Sequence, residues 1–250
     1  MRATEFEFRY RFWVIGLIFW AGFACYSFDH VNAGVSITRW LVGAQVDPHS
    51  PQFLFVLRSV FAFGAALAIA AAAIRTWGAA YLKSEVVHDL DLHNEALVAD
   101  GPYRWVRNPL YLGTVLLGAG IGFMASRLGW FVLVILIYIF SARLIAREEA
   151  ELRRTQGEPY TAYCARVPRF WPSLAPRLAS GGMKPRWKQA FAGESFLWAF
   201  AVAMVAFAVT LEQRVAFDIM GVALLGYAIY VFGLRRRRRA QTAPTGKEAI

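Results

Sequence analysis

Apolar runs long enough to cross a bilayer dominate this chain and leave few architectures open. They cover about Phe12 to Phe28, Phe53 to Ile74, Pro109 to Ala125, Leu128 to Ala146, Ala190 to Leu211 and Val215 to Leu234. A helix needs about 20 apolar residues to span a ~30 Å hydrocarbon core, where every backbone polar group must be satisfied within the segment. Of the 250 residues, 58% are apolar and 18% charged, whereas soluble domains hold about 45–50% and about 25%. The sequence therefore predicts an all-α, polytopic membrane helical bundle of about six transmembrane helices. Gly22 and the further runs argue for a retained first helix rather than a cleaved signal.

Net charge is +10, but the basic residues cluster beside the apolar runs. They flank the N-terminus, the 75–108 and 147–190 segments and the C-terminus, while the turns near 30–52, 126–127 and 212–214 hold few. This distribution predicts both termini on the cytoplasmic side and makes Arg235 to Arg239 a topology anchor, with no nucleic-acid partner. Cys25 and Cys164 form no CxxC, zinc spacing or disulfide framework. His88 and His93, with Asp89 and Asp91, match no common metal motif, so no metal is predicted. Arg58, just inside the second run, reads as snorkelling to the outer interface. Residues 31–46 read as an interfacial amphipathic piece.

One stretch concentrates chemistry at a water–membrane boundary: Asp100 to Gly113, D-G-P-Y-R-W-V-R-N-P-L-Y-L-G. Gly101 and Pro102 set up a tight turn. Pro109 suits the first turn of a following helix, whose start offers free N–H groups to an anion. On residues alone the stretch reads equally well as a membrane-entry turn, with Arg104 and Arg107 on lipid phosphates and Tyr103, Trp105 and Tyr111 in an aromatic belt. Gly118 and Gly122 have the spacing that admits another helix or a ligand. The fourth run continues without a breaker into Arg147 to Arg154, predicting one helix that projects beyond the membrane. Glu149 and Arg153 are an i,i+4 pair in the favourable order, and Glu151 and Arg154 read as a solvated face. Arg75 to Ala99 is expected to be a polar loop, and Leu174 to Gln189 a basic linker.

The turn resembles the G-P-Y-R-x-V-R-H-P-x-Y-x-G pattern of the isoprenylcysteine carboxyl methyltransferase and phospholipid methyltransferase families. E-E-x-x-L at 148–152, G-x-x-Y-x-x-Y at 157–163 and V-P-R at 167–169 follow in the same families' order, so the resemblance covers about residues 55–175. It implies a helical, membrane-embedded fold and transfer of methyl from S-adenosylmethionine to a lipophilic acceptor in the membrane. Carried over residue by residue, it implies that Gly101, Pro102, Tyr103, Asn108, Pro109, Tyr111, Leu112, Glu148, Glu149 and Tyr163 hold the cosubstrate. Arg104, Arg107, Asn108 and Arg169 would close the pocket or orient the acceptor. Asn108 departs from the family's His; it keeps a positioning hydrogen bond but cannot titrate. An isoprenylcysteine-like carboxylate is the acceptor first expected. Phosphatidylethanolamine-type N-methylation, a sterol-type NADPH reductase and a non-catalytic scaffold stay open. The expected division is 1–52 as first span and interfacial segment, 53–175 as methyltransferase-like core, and 176–250 as a terminal hairpin with a basic tail. That hairpin has no catalytic motif and is left open among packing, dimerisation (a homo-oligomer) and lipid contact.

Overall fold

The structure, a computed structural model, describes residues 2–82 and 99–226. Lys83, Glu85, His88, Asp89, Asp91, His93 and Glu95, with the metal question attached to them, lie outside the described residues, as does the arginine run at 235–239. The described chain is helical, with no strand among the described residues. In order come α1 (Glu5–Arg9), α2 (Arg11–Ala24) with a 3-10 turn at Cys25–Ser27, α3 (Ala33–Val42) and α4 (Pro51–Tyr81). After a 3-10 turn at Gly101–Arg104 follow α5 (Pro109–Gly122), α6 (Arg127–Gln156), α7 (Glu158–Arg166), α8 (Trp187–Gly193) and α9 (Ser195–Thr210). Residues 213–226 are also helical.

Short polar residues start the long helices. Ser50 and Ser126 accept from the N–H of Phe53 and Gly129, three residues on, and Pro51 occupies the first helical position of α4. α6 runs unbroken for 30 residues, as its sequence predicts, and ends where Gly157 takes φ +61°. α4 runs for 31 residues through Arg75 to Tyr81. The expected polar loop from Arg75 is therefore corrected: its first seven residues are helix, and Arg75 is an interior position.

The count of about six spans is not confirmed by helix length, and the last run, Val215 to Leu234, extends beyond the described residues. Among the described residues only α4 and α6 are long and apolar enough to cross a membrane, or three spans if α8 and α9, bent by 64°, are taken together. α2 and α5 have 14 residues each, about 21 Å of helix. Their apolar runs stop being helix early because the chain folds back there. The N–H groups of Ala33 and Gly34 bond the carbonyls of Ala125 and Phe123 at 2.9 and 3.1 Å, and Arg127 N–H bonds Val31 O at 3.0 Å. The Asn32 amide donates to Met124 O at 3.0 Å, and Asp29 pairs with Arg127 at 3.0 Å.

α4 is the central element, packed on α5, α9, α3 and α8. It crosses α5 at Gly64 and Gly120, where a Cβ on Gly64 would lie 2.9 Å from the Gly120 carbonyl. Gly118 and Gly122 face Ile137 and Trp130, so that pair forms the α5–α6 seam. α1 is pinned to α6 by Glu7–Arg143 at 2.7 Å and by Ala3 N–H on Arg143 O at 3.1 Å. Trp13, Trp20, Phe55 and Phe131 are exposed, as suits helices solvated by lipid, and Arg58 is exposed two turns into α4.

Candidate functional site

The motif residues meet at one end of the bundle, where α4, α5 and α6 finish or begin beside α7. Asp100 organises the turn. Its carboxylate accepts from the N–H of Gly101 at 2.9 Å, the N–H of Met183 at 2.9 Å and the hydroxyl of Ser180 at 3.0 Å. Burial pushes this carboxyl up, but those hydrogen bonds and the nearby Arg104 outweigh it and leave it below the usual aspartate value. Gly101 has φ +56°, and any side chain there would run into the Tyr81 ring, so the position needs glycine twice over. Gly101, Pro102 and Tyr103 are buried. The Tyr163 hydroxyl donates to Tyr103 O at 2.8 Å, and burial raises both phenols above their ordinary value.

The segment from Leu174 to Gln189, expected as a linker, belongs instead to a strap across this turn that begins just before it. Ser173 N–H bonds Trp105 O at 3.0 Å, Arg177 N–H bonds Arg104 O at 2.8 Å, and Arg186 N–H bonds Ala80 O at 2.7 Å. Arg104 is drawn into the strap, with its Nε donating to Leu178 O at 2.8 Å. It lies apart from the other predicted arginines in its bonding.

Those others converge on Glu149, which is only 1% exposed. Arg107 Nε and Asn108 Nδ2 both reach Oε1 at 3.1 Å, while Arg169 Nη2 reaches Oε2 at 2.9 Å. Arg153 stands 3.7 Å away. Arg107 also donates to Cys164 O at 2.8 Å and Asn108 to Arg169 O at 2.9 Å. Asn108 thus uses its amide donors to lock the start of α5 to the V-P-R segment, a task that needs no titratable ring. Several guanidinium groups around one carboxylate leave the cluster with surplus positive charge.

Glu148 serves a different side. Successive residues on a helix point about 100° apart, and Glu148 accepts from the Tyr111 hydroxyl at 2.6 Å. No arginine hydrogen bond to it is found among the described residues, although the buried Arg11 lends it positive charge from nearby. Pro109 starts α5 at its first position, as predicted, and Pro109 and Leu112 are buried. The arrangement offers two unlike halves, a cationic one around Arg107 and Arg169 and an acidic one at Glu148. A ligand carrying both charges, such as an amino-acid headgroup, matches that layout. No group of three or more His, Cys, Asp or Glu side chains able to hold a metal occurs among the described residues.

One feature of this end was missed by sequence reasoning. Arg75 forks onto Glu194, Nε to Oε2 at 2.9 Å and Nη2 to Oε1 at 3.0 Å, and its Nη1 donates to Thr114 Oγ1 at 2.8 Å and Leu110 O at 3.2 Å. Glu194 sits at the 64° bend between α8 and α9 and is 1% exposed. Trp198 Nε1 adds a bond to Thr76 Oγ1 at 3.0 Å. The available signal was an acid inside an apolar run, which asks for a buried basic partner. Gly113 makes room: a Cβ there would collide with the Arg75 side chain.

No curated protein and no solved structure matches this chain. Residues 59–158, which carry the turn, the start of α5, Arg75 and both Glu148 and Glu149, match the family model described as phospholipid methyltransferase, a match that supports a membrane methyltransferase.

Proposed function

We propose that the protein transfers methyl from S-adenosylmethionine to a lipophilic acceptor in the membrane, most directly a carboxylate. The observation that carries this reading is the pairing of two unlike charged halves at one bundle end: Arg107, Asn108 and Arg169 on Glu149, and Tyr111 on Glu148. In the reading, Glu148 receives the ammonium or hydroxyl groups of the cosubstrate. Glu149 is an organiser that holds Arg107, Asn108 and Arg169 in place, and Gly101, Pro102, Tyr103, Pro109, Leu112 and Tyr163 shape the wall.

The chemistry asks mainly for alignment and exclusion of water. A bond forms between an acceptor carboxylate oxygen and the methyl carbon while the carbon–sulfur bond breaks. The sulfonium becomes a neutral thioether, and no proton moves. The surplus guanidinium charge of the site suits an anionic acceptor. The matched family's description favours a second reading, methylation of a phosphatidylethanolamine-type amine. That acceptor must lose a proton, and Glu148 is the carboxylate positioned without an arginine hydrogen bond to take it. With the site end cytoplasmic, the cosubstrate arrives from the cytosol and the acceptor from the bilayer.

Calorimetric binding of S-adenosylhomocysteine, with NADPH as comparison ligand, tests the reading. Micromolar affinity for the former alone supports it, and binding of NADPH alone would replace it with a reductase. Base-labile methyl in the product then marks an ester, and base-stable methyl an N-methyl amine.

A further inference from the structure

The strap that crosses the turn has an outward side which the methyl-transfer reading does not use. From Pro159 to Gly193 the chain contains no Asp or Glu, yet it carries Arg166, Arg169, Arg177, Lys184, Arg186 and Lys188. Apolar side chains stand exposed among these charges: Trp171 at 69%, Leu174 at 100%, and Met183, Trp187 and Phe191 at lower values. Water-facing linkers do not usually present tryptophan and leucine in this way.

The strap also begins against the apolar part of α6. The Phe170 ring meets Tyr138 edge-on at 5.5 Å, and Trp171 packs on Phe170 at 5.3 Å. Tyr138 belongs to the apolar part of α6, about 15 Å along the axis from Glu148. Trp171 is thereby held beside the lipid-facing part of that span. At its far end the strap enters α8, which leads into apolar α9. Interleaved basic and aromatic residues next to a bilayer are the chemistry that binds anionic headgroups while burying apolar side chains at the interface. A topology signal alone accounts for the basic residues, but not for the exposed Trp171 and Leu174.

We propose that residues 170–188 form a docking surface for anionic phospholipid headgroups, and that docking steadies the Gly101–Arg104 turn through the backbone bonds of the strap. Those bonds link Ser173 to Trp105, Arg177 to Arg104, Met183 to Asp100 and Arg186 to Ala80. A strap pressed to the membrane holds Asp100 and Arg104 from outside, and a strap that lifts away releases both. The proposal concerns a lipid surface and does not depend on which methyl acceptor is used.

The test is amide hydrogen exchange of the full chain in nanodiscs of phosphatidylcholine, with and without phosphatidylglycerol. Exchange at residues 173–186 and at Tyr103 to Val106 is expected to slow about tenfold in the anionic discs, and the difference to vanish at high salt. Neutralising Arg177, Lys184, Arg186 and Lys188 together to Gln is expected to erase the difference while thermal unfolding stays cooperative. Brominated phosphatidylcholine should quench a fluorescence component that is lost in Trp171→Phe. Equal exchange in both discs, or a difference that survives the fourfold variant, would overturn the proposal. Protection that follows protein density rather than lipid charge would assign the surface to a second copy and overturn it equally. None of these readouts involves the methyl donor, so failure here is distinguishable from failure of the methyltransferase reading.

Discussion

Glu149 and Glu194 are both 1% exposed and both bound to arginine, yet their surroundings have opposite designs. Glu194 meets Arg75 in a two-point fork, and the remaining guanidinium donor is taken by Thr114 and Leu110. That pair is electrostatically closed. Glu149 is shared among Arg107, Asn108 and Arg169, with Arg153 near, and the side chains of Arg169 and Arg153 are 50% and 48% exposed. That cluster keeps spare positive charge and partners that can turn toward an arriving ligand. A buried carboxylate in this fold is thus either a weld or an organiser, and the number and exposure of its partners tell which.

Breaking the weld should have the largest effect. Glu194→Ala leaves Arg75 without its counter-ion and is expected to cost about 3–5 kcal/mol, read as a large fall in thermal midpoint in detergent. Arg75→Met with Glu194→Leu should recover most of it, since apolar replacement of both partners of a buried pair is often neutral. A double variant no better than the single one would show that the pair does more than hold α4 to the bend. The organiser should answer differently. Glu149→Gln is expected to weaken S-adenosylhomocysteine binding at least tenfold, about 1.4 kcal/mol, and to lower the midpoint less than Glu194→Ala. Adding Arg107→Gln should not restore binding, and unchanged binding in Glu149→Gln would remove the cluster from the site.

Asp100 sharpens the contrast through pH. Its folded pKa lies below the unfolded value of about 3.9, because hydrogen bonds outweigh burial. Its stabilisation is therefore present above that value and lost as pH falls through the folded pKa. The stability gap between wild type and Asp100→Asn should be full above about pH 4 and close below it; a gap independent of pH would exclude the charge as its cause. The smallest effect belongs to Glu151 and Arg154, an exposed pair. Neutralising both to Gln should leave thermal midpoint and ligand binding unchanged, marking the outer limit of the organiser.

The same pair of carboxylates shows what could be read in the sequence. Glu149 follows an unbroken helical run and sits four residues before Arg153, so the continuous helix and its polar end are legible in local pattern. Its resemblance-borne partners Arg107, Asn108 and Arg169 were named, and the structure brings them together. The divergence of Glu148 from Glu149 follows from helix geometry, but its direction toward Tyr111 does not. In the sequence Arg75 looks like the edge of a loop, because charge beside an apolar run ordinarily marks a boundary. Its counter-ion lies 119 residues away, beyond any local window. The strap failed for another reason. Its Pro and Gly content resembles a linker, and composition cannot reveal that its N–H groups are satisfied by Arg104, Trp105 and Ala80. The shortness of α2 and α5 had the same origin, since Phe123 and Ala125 lend their carbonyls to α3 rather than to continued helix.

That exchange of carbonyls has a mechanical consequence. At the end remote from Glu149, the backbone around residues 31–34 is laced to 123–127 by direct N–H to O=C bonds, with Asn32 and Asp29 as rivets. The bundle resembles a pair of tweezers soldered at the hinge. Any parting of the helices would have to swing about that solder, so displacement would grow with distance from it along α6. A small rotation at residues 123–127 is amplified along α6, whose 30 residues give it a lever about 45 Å long.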